Sequence, residues 1–216
     1  MFSKIFKRNK NNNVPRSLEH PRDLKQGDAI KTGFDEHPEI SNVEHFVERV
    51  TGLDLAARSG YERRIFHLGQ TADNRALLMW VHDEGNGEQL AFAYSADQPH
   101  VESMIRIDQF AELFNADRNY LVELESHEKA CQQNPWLSRK YIQDQSHEIY
   151  WLDRDPKGTT SLEGVSENEQ GCDYFRLTSN DRKAAIEAFV FDGGRTDVYF
   201  VKYLPLYKIE EMMPSA

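Results

Sequence analysis

Sulfur chemistry is scarce in this chain of 216 residues: it has two cysteines, Cys131 and Cys172, far apart and without metal-ligand spacing. A reduced, cytoplasmic chain is therefore the expected setting. No apolar run approaches the ~18 residues a transmembrane helix needs. The N-terminus has a basic region but lacks the apolar stretch and small-residue cleavage site of a secretory leader. Neither G-x-x-x-x-G-K-S/T nor G-x-G-x-x-G occurs, so no phosphate-cradling glycine loop is available. The G-x-S-x-G elbow of serine hydrolases is missing as well, and so is H-E-x-x-H, the paired-histidine motif of zinc proteases.

Positive charge is also short, and it is unevenly placed. The formal net charge is −10, yet Lys4, Lys7, Arg8 and Lys10 open the chain with no acid before Glu19, leaving about −14 on the remainder. Such a body repels phosphate backbones, so no nucleic-acid partner is expected. The acidity serves solubility, with a basic protein as a further option. The apolar fraction of 39% is ordinary for a globular protein, and the length suits one large or two small domains.

What the chain does have is self-similarity. "IFHLGQTADNRALLMWVHDEGNGEQLAFAY" (Ile65–Tyr94) aligns without a gap on "YFRLTSNDRKAAIEAFVFDGGRTDVYFVKY" (Tyr174–Tyr203). Identical pairs are Phe66/Phe175, Leu68/Leu177, Ala76/Ala185, Val81/Val190, Asp83/Asp192, Gly85/Gly194 and Tyr94/Tyr203. Repetition at this long period implies two related units rather than a solenoid. Each copy reads as three strands joined by a polar turn and a glycine turn, with Val, Tyr and Phe flanking the glycines. In "IEAFVF", Ile186, Ala188 and Val190 fall on one face and Glu187, Phe189 and Phe191 on the other, which predicts some cover on both sides.

A short helix is expected after each copy: "IDQFAELF", capped by Asp108, and "YKIEEMM". "SNVEHFVERVTG" carries a helix-like capping box, Ser41 with Glu44, but its counterpart "HEIYWLDRD" is rich in β-formers. A strand over about Phe46–Leu55 is the reading that agrees with the repeat. The expected fold is α+β, mainly antiparallel β, with two related β-sheet units, a few short helices and a connecting region around 105–140. Residues 1–17 are read as a basic amphipathic head and tether, 18–130 as the first β-rich unit and 131–216 as the second.

Candidate chemistry is sparse, and no catalytic, metal or cofactor-binding residue is assigned. His82 and Asp83 are neighbours, but on a strand they face opposite ways, so a solvated strand end is expected. Asp153 and Asp155 share a strand face, with Arg154 between them; Asp197 and Lys202 lie on another strand. Divalent-metal chemistry needs carboxylates that converge on one ion, so these too read as solvated ends. Acids near Cys172 raise its thiol pKa and oppose thiolate formation. Trp151, Phe175, Phe189, Tyr199 and Tyr203 read as core before they read as a ligand pocket.

The head poses its own question. As a helix, residues 2–10 would place Phe2, Ile5 and Phe6 on one side, with Lys4, Lys7, Arg8 and Lys10 around the rest. Contact with an anionic membrane would contribute about 1 kcal/mol per basic residue, and burial of the three apolar side chains a few more. A solubilising tail and a partner-binding segment also fit these residues. The head, "DLKQGDAI", "YERRIFHLG" and the tryptophan-bearing "LLMWV" together resemble a class of small acidic β-rich bacterial proteins encoded near phage-shock and polyamine-related genes. The resemblance implies an accessory or scaffold role near the envelope and carries no catalytic residues. The expectation is a non-enzymatic interaction protein with a protein partner, cytoplasmic and loosely peripheral at the inner membrane. Two alternatives stand beside it: an enzyme or small-ligand binder with its site between the two units, and an immunity-like protein that binds a basic partner.

Overall fold

The computed structural model describes residues 16–54, 62–83, 87–115, 119–157 and 170–215. Its strands in chain order are β1 (Ala29–Thr32), β2 (Glu44–Phe46), β3 (Arg49–Asp54), β4 (Glu62–Gln70), β5 (Ala76–Asp83) and β6 (Glu88–Ala96). The series continues with β7 (Glu123–Glu125), β8 (Lys140–Leu152), β9 (Gln170–Ser179), β10 (Ala184–Phe191), β11 (Thr196–Pro205) and β12 (Ile209–Met213). Between β6 and β8 lie the helices α1 (Gln98–Met104), α2 (Ile107–Ala111) and α3 (Glu128–Gln133), with a 3-10 turn at Glu112–Phe114.

Both repeat segments fold as three-stranded antiparallel meanders, β4-β5-β6 and β9-β10-β11, as their turn residues predict. Gly193 and Gly194 take φ of 81° and 85° in the β10–β11 connection. Asn74, at φ 61°, closes the β4–β5 turn, where the Thr71 N–H donates to the Arg75 carbonyl at 2.8 Å. The expectation of an α+β fold with two separate β-sheet units is corrected. β6 pairs with β11 from Ala96↔Val198 to Gln89↔Pro205, fusing the two meanders edge to edge. At the other end β3 pairs with β8 through Gly52↔Leu152, Leu53↔Trp151 and Asp54↔Tyr150. The strand order β3-β4-β5-β6-β11-β10-β9-β8 therefore returns to β3, giving an eight-stranded closed antiparallel barrel. The physical reason is that two open sheets would leave four edges of unpaired backbone, and closure removes them. Gly52 is required at the seam, because a Cβ there would sit 2.8 Å from the Pro156 ring.

Of the remaining strands, β7 pairs with the start of β8, and the other three form a small antiparallel sheet in the order β12-β1-β2. This corrects a second expectation: Ile209–Met213 is strand, not helix. Its helix-like pattern yields to pairing with β1, which otherwise presents an open edge. The strand expected over Phe46–Leu55 is present as β3. The helix expected in "IDQFAELF" is α2, but its N-cap is Arg106; Asp108 instead accepts from the Arg106 guanidinium at 3.3 and 3.2 Å.

Strand alternation sorts the apolar residues into two cores. Inside the barrel pack Leu53, Ile65, Leu78, Trp80, Ile149, Tyr174, Phe189 and Tyr203, among others. Outside it, Phe66, Met79, Phe92, Ile186 and Phe200 meet Leu24 and Ile30 from the N-terminal segment and Val101, Phe110 and Trp136 from the helical region. The inner core also holds an ion pair. Arg63 donates to Glu187 Oε2 at 2.7 Å and to the Tyr174 hydroxyl at 3.3 Å, with its guanidinium 4.8 Å from the centre of the Trp80 ring. Both charged side chains are almost fully enclosed. A second interior arginine, Arg176, reaches the Asp144 carboxylate with two bonds of 3.0 and 2.8 Å where the β8–β9 register slips at Gln143/Gln145. Burial opposes the charge of both guanidiniums, yet their partners hold both pKa values above the ordinary arginine value.

Removing one member of a buried pair strands the other. Glu187→Ala is expected to cost about 3–5 kcal/mol, while Arg63→Met combined with Glu187→Leu recovers most of that loss. Urea denaturation of both variants checks the difference. Equal destabilisation by the single and double changes would show that packing, not the unpaired guanidinium, sets the cost.

Candidate functional site

Polar side chains from five segments converge in a cleft of about 670 Å³ on the outer wall of the barrel. The β4–β5 turn contributes Thr71, Asp73 and Arg75; β6 contributes Tyr94; α1 brings His100 and Met104; α3 and its exit bring Lys129, Asn134 and Trp136; and Glu39 comes from the N-terminal segment. Local sequence explains how each arrives. "DQPH" starts α1 with Asp97 as N-cap, its carboxylate accepting the His100 N–H at 3.1 Å, so His100 faces back towards β6. After α3, the Asn134 side chain accepts the Trp136 N–H at 3.0 Å and folds the chain so that the indole reaches the cleft.

Tyr94 is the centre. Its hydroxyl lies 3.1 Å from His100 Nε2 and receives a bond from Asn134 Nδ2, also 3.1 Å. The Trp136 ring packs edge-on to it at 5.0 Å, and the indole N–H donates to Glu39 Oε2 at 3.2 Å. Burial pushes the Tyr94 phenol up to about 12. Burial also lowers the His100 pKa, with Arg75 adding to the effect. The lowered pKa favours the neutral imidazole at pH 7, and Nε2 and the phenol share one hydrogen bond. Behind the cleft, His37 Nε2 donates to the Pro135 carbonyl at 3.1 Å, and Lys202 reaches the same oxygen at 3.2 Å. His37 Nδ1 meets Asp35, which also binds Lys208 at 2.8 Å. Burial works against the Asp35 charge, but the bonds from Lys208 and His37 outweigh it and lower the pKa.

The residues singled out from sequence fall elsewhere. Phe2, Lys4, Ile5, Phe6, Lys7, Arg8 and Lys10 lie outside the described residues. His82 is buried at the barrel mouth and stacks on Tyr203 at 4.4 Å, not at a solvated strand end as expected; Asp83 is exposed. Asp153 pairs with Arg49 at 2.9 Å, while Asp155 binds Arg64 through two bonds of 2.7 and 2.6 Å, so the two carboxylates do not converge. Asp197 lies 3.7 Å from Arg195, and Lys202 points to the opposite side of β11. Cys172 is buried and its thiol is pushed up to about 12, chiefly by burial and then by Asp173. Trp151, Phe189, Tyr199 and Tyr203 pack in the inner core, whereas Phe175 lies on the outer wall. Among the described residues no three His, Cys, Asp or Glu side chains are placed to hold a metal ion. No helix among them is long and apolar enough to cross a membrane.

Sequence reasoning missed the cleft because its members are spread from Glu39 to Trp136 with no fixed spacing. The readable signals were the helix start at "DQPH" and the turn at "NPW". Comparison of the chain with protein-family models, curated proteins and solved structures gives no match.

The Tyr94 bonds are testable as a unit. Tyr94→Phe leaves Asn134 and His100 without their shared partner and is expected to cost about 1–2 kcal/mol. A double-mutant cycle with Asn134→Ala, read by urea midpoint, is expected to give a coupling of about 0.5–1.5 kcal/mol; additivity would mean that the two groups do not act together.

Proposed function

We propose that the protein is a non-enzymatic binding protein: the barrel is a rigid scaffold, and the cleft at Tyr94 receives a small polar ligand. The observation that carries this reading is the preorganised Tyr94–His100–Asn134 cluster in the wall of a cleft of ligand size. Charges of both signs line it, Arg75 and Lys129 with Glu39 and Asp73, which suits a zwitterion or a neutral hydrogen-bonding molecule. Trp136 and Tyr94, almost fully buried, form the rigid back wall behind these groups. This favours the small-ligand alternative and moves the site from between two β units to the outer wall of one barrel.

A thermal-shift screen of small polar metabolites, followed by calorimetry on the hits, tests the assignment. Binding of a hit is expected to fall about tenfold, or about 1.4 kcal/mol, in Arg75→Ala or Lys129→Ala, whose charged ends line the cleft without belonging to the core. A screen without hits, or hits indifferent to both Arg75 and Lys129, overturns it.

The basic head supports a second reading, weak and reversible contact with an anionic membrane surface by a cytoplasmic protein. It rests on Lys4, Lys7, Arg8 and Lys10 among Phe2, Ile5 and Phe6. Anionic vesicles are expected to co-sediment the full chain and to lose it when residues 1–13 are removed. Equal sedimentation of both forms removes the reading. The like arrangement of β4-β5-β6 and β9-β10-β11 also supports an origin by internal duplication.

A further inference from the structure

We infer that a second surface, a groove of about 650 Å³ on the β9–β10 side of the barrel, docks a polypeptide segment whose apolar side chains stand among lysines and arginines. It is built independently of the cleft at Tyr94, from different strands and from the segments on either side of residues 116–118.

The groove floor is Phe175 on β9 and Val190 on β10, both on the outer face of their strands. One wall is Phe114, whose ring meets Phe175 edge-on at 5.6 Å; the other is Tyr120 and Leu121. These wall residues are not core. Leu121 is 65% exposed, Tyr120 55% and Phe114 42%. Three large apolar side chains left in water around one concavity mark a surface that gains by being covered. Covering them removes apolar area at about 25 cal/mol per Å².

Charge selects what covers them. Asp173 lines the groove, and Glu148 is its direct cross-strand partner in the β8–β9 ladder. Like charges facing one another across a ladder disfavour the sheet, and no cation among the described residues pairs with either. Glu112 adds a third carboxylate, accepting the Tyr120 hydroxyl at 2.7 Å. Asp173 inside the groove, with Glu148 and Glu112 beside it, gives the apolar floor an acidic margin that repels nucleic acid and anionic lipid and attracts a basic, apolar segment. Faces of Tyr120 and Phe114 can also receive an ammonium or guanidinium. Residues 2–10 of this chain have that chemistry, with four cations among two phenylalanines and an isoleucine.

The test uses the full chain and a fluorescein-labelled synthetic peptide of residues 1–13, followed by anisotropy. Saturable binding is expected with Kd on the order of 10–100 μM, weakening severalfold as salt rises from about 50 to 300 mM. Leu121→Glu and Asp173→Lys are each expected to weaken it about tenfold or more. Tyr207→Glu, which changes a 77% exposed aromatic on another face, is expected to leave it unchanged. A peptide with its lysines and arginine replaced by glutamine is expected not to bind. Absent saturation, equal binding by the glutamine peptide, or equal binding by both groove variants overturns the assignment. Because Leu121 and Asp173 are on the surface, urea midpoints of these variants should not fall below the parent's, and Asp173→Lys, now opposite Glu148, should if anything raise it, separating lost docking from lost fold. Small-molecule binding in the cleft at Tyr94 is expected to be unaffected by the groove variants, so this inference and the cleft reading fail separately.

Discussion

Backbone pairing at two seams governs this molecule. Where β6 meets β11, eight residue pairs join the halves of the chain, and where β3 meets β8 only three do. The strong seam fixes the register of everything that faces inward, because a one-residue slip would send Tyr203 and Val201 outward and Phe200 and Leu204 in. The weak seam is reinforced by side chains instead. Arg64 on β4 binds Asp155 just past β8 while also donating to the carbonyls of Arg22 and Leu24. Closure of the barrel and attachment of the N-terminal segment therefore share one guanidinium.

Closure also dictates the division of labour between the two faces of the sheet. The interior takes large aromatics and two arginines, and each charge is met by hydrogen bonding at short range. Even so, Glu187 Oε1, the Tyr203 hydroxyl and the Trp80 indole N–H lack a hydrogen-bond partner there. Such atoms lower stability, so the interior is a specifying core as much as a stabilising one. The exterior is only partly wrapped. Over β4, β5 and β6 the N-terminal segment and α1 make a continuous outer core. Over β9 and β10 the wrapping thins, and Phe114, Tyr120 and Leu121 are left in water.

Much of this was legible. The two meanders followed from the glycine turns and from period-2 alternation, and the cover on both faces followed from phenylalanines on both sides of "IEAFVF". The joining of the halves did not, because strand partners distant in sequence leave no mark in either strand's own pattern. The same limit explains β12: "YKIEEMM" carries a helical pattern locally, and only its pairing with β1 decides otherwise. It also explains the cleft. Tyr94 stands out merely as a repeat identity, and nothing local sets His100 or Trp136 apart. Their meeting depends on α1 and α3 crossing the barrel wall, a tertiary event without a local code.

β1 lies between β2 and β12, and Asp28 at its entrance binds both Arg16 and the Ser215 N–H. A strand near the start of the chain thus finds its second neighbour only after the ribosome has produced Ile209–Met213. During synthesis the barrel can close as β11 emerges, but the clasp stays open on one side until then. Assembly is in this sense buttoned last at the small sheet.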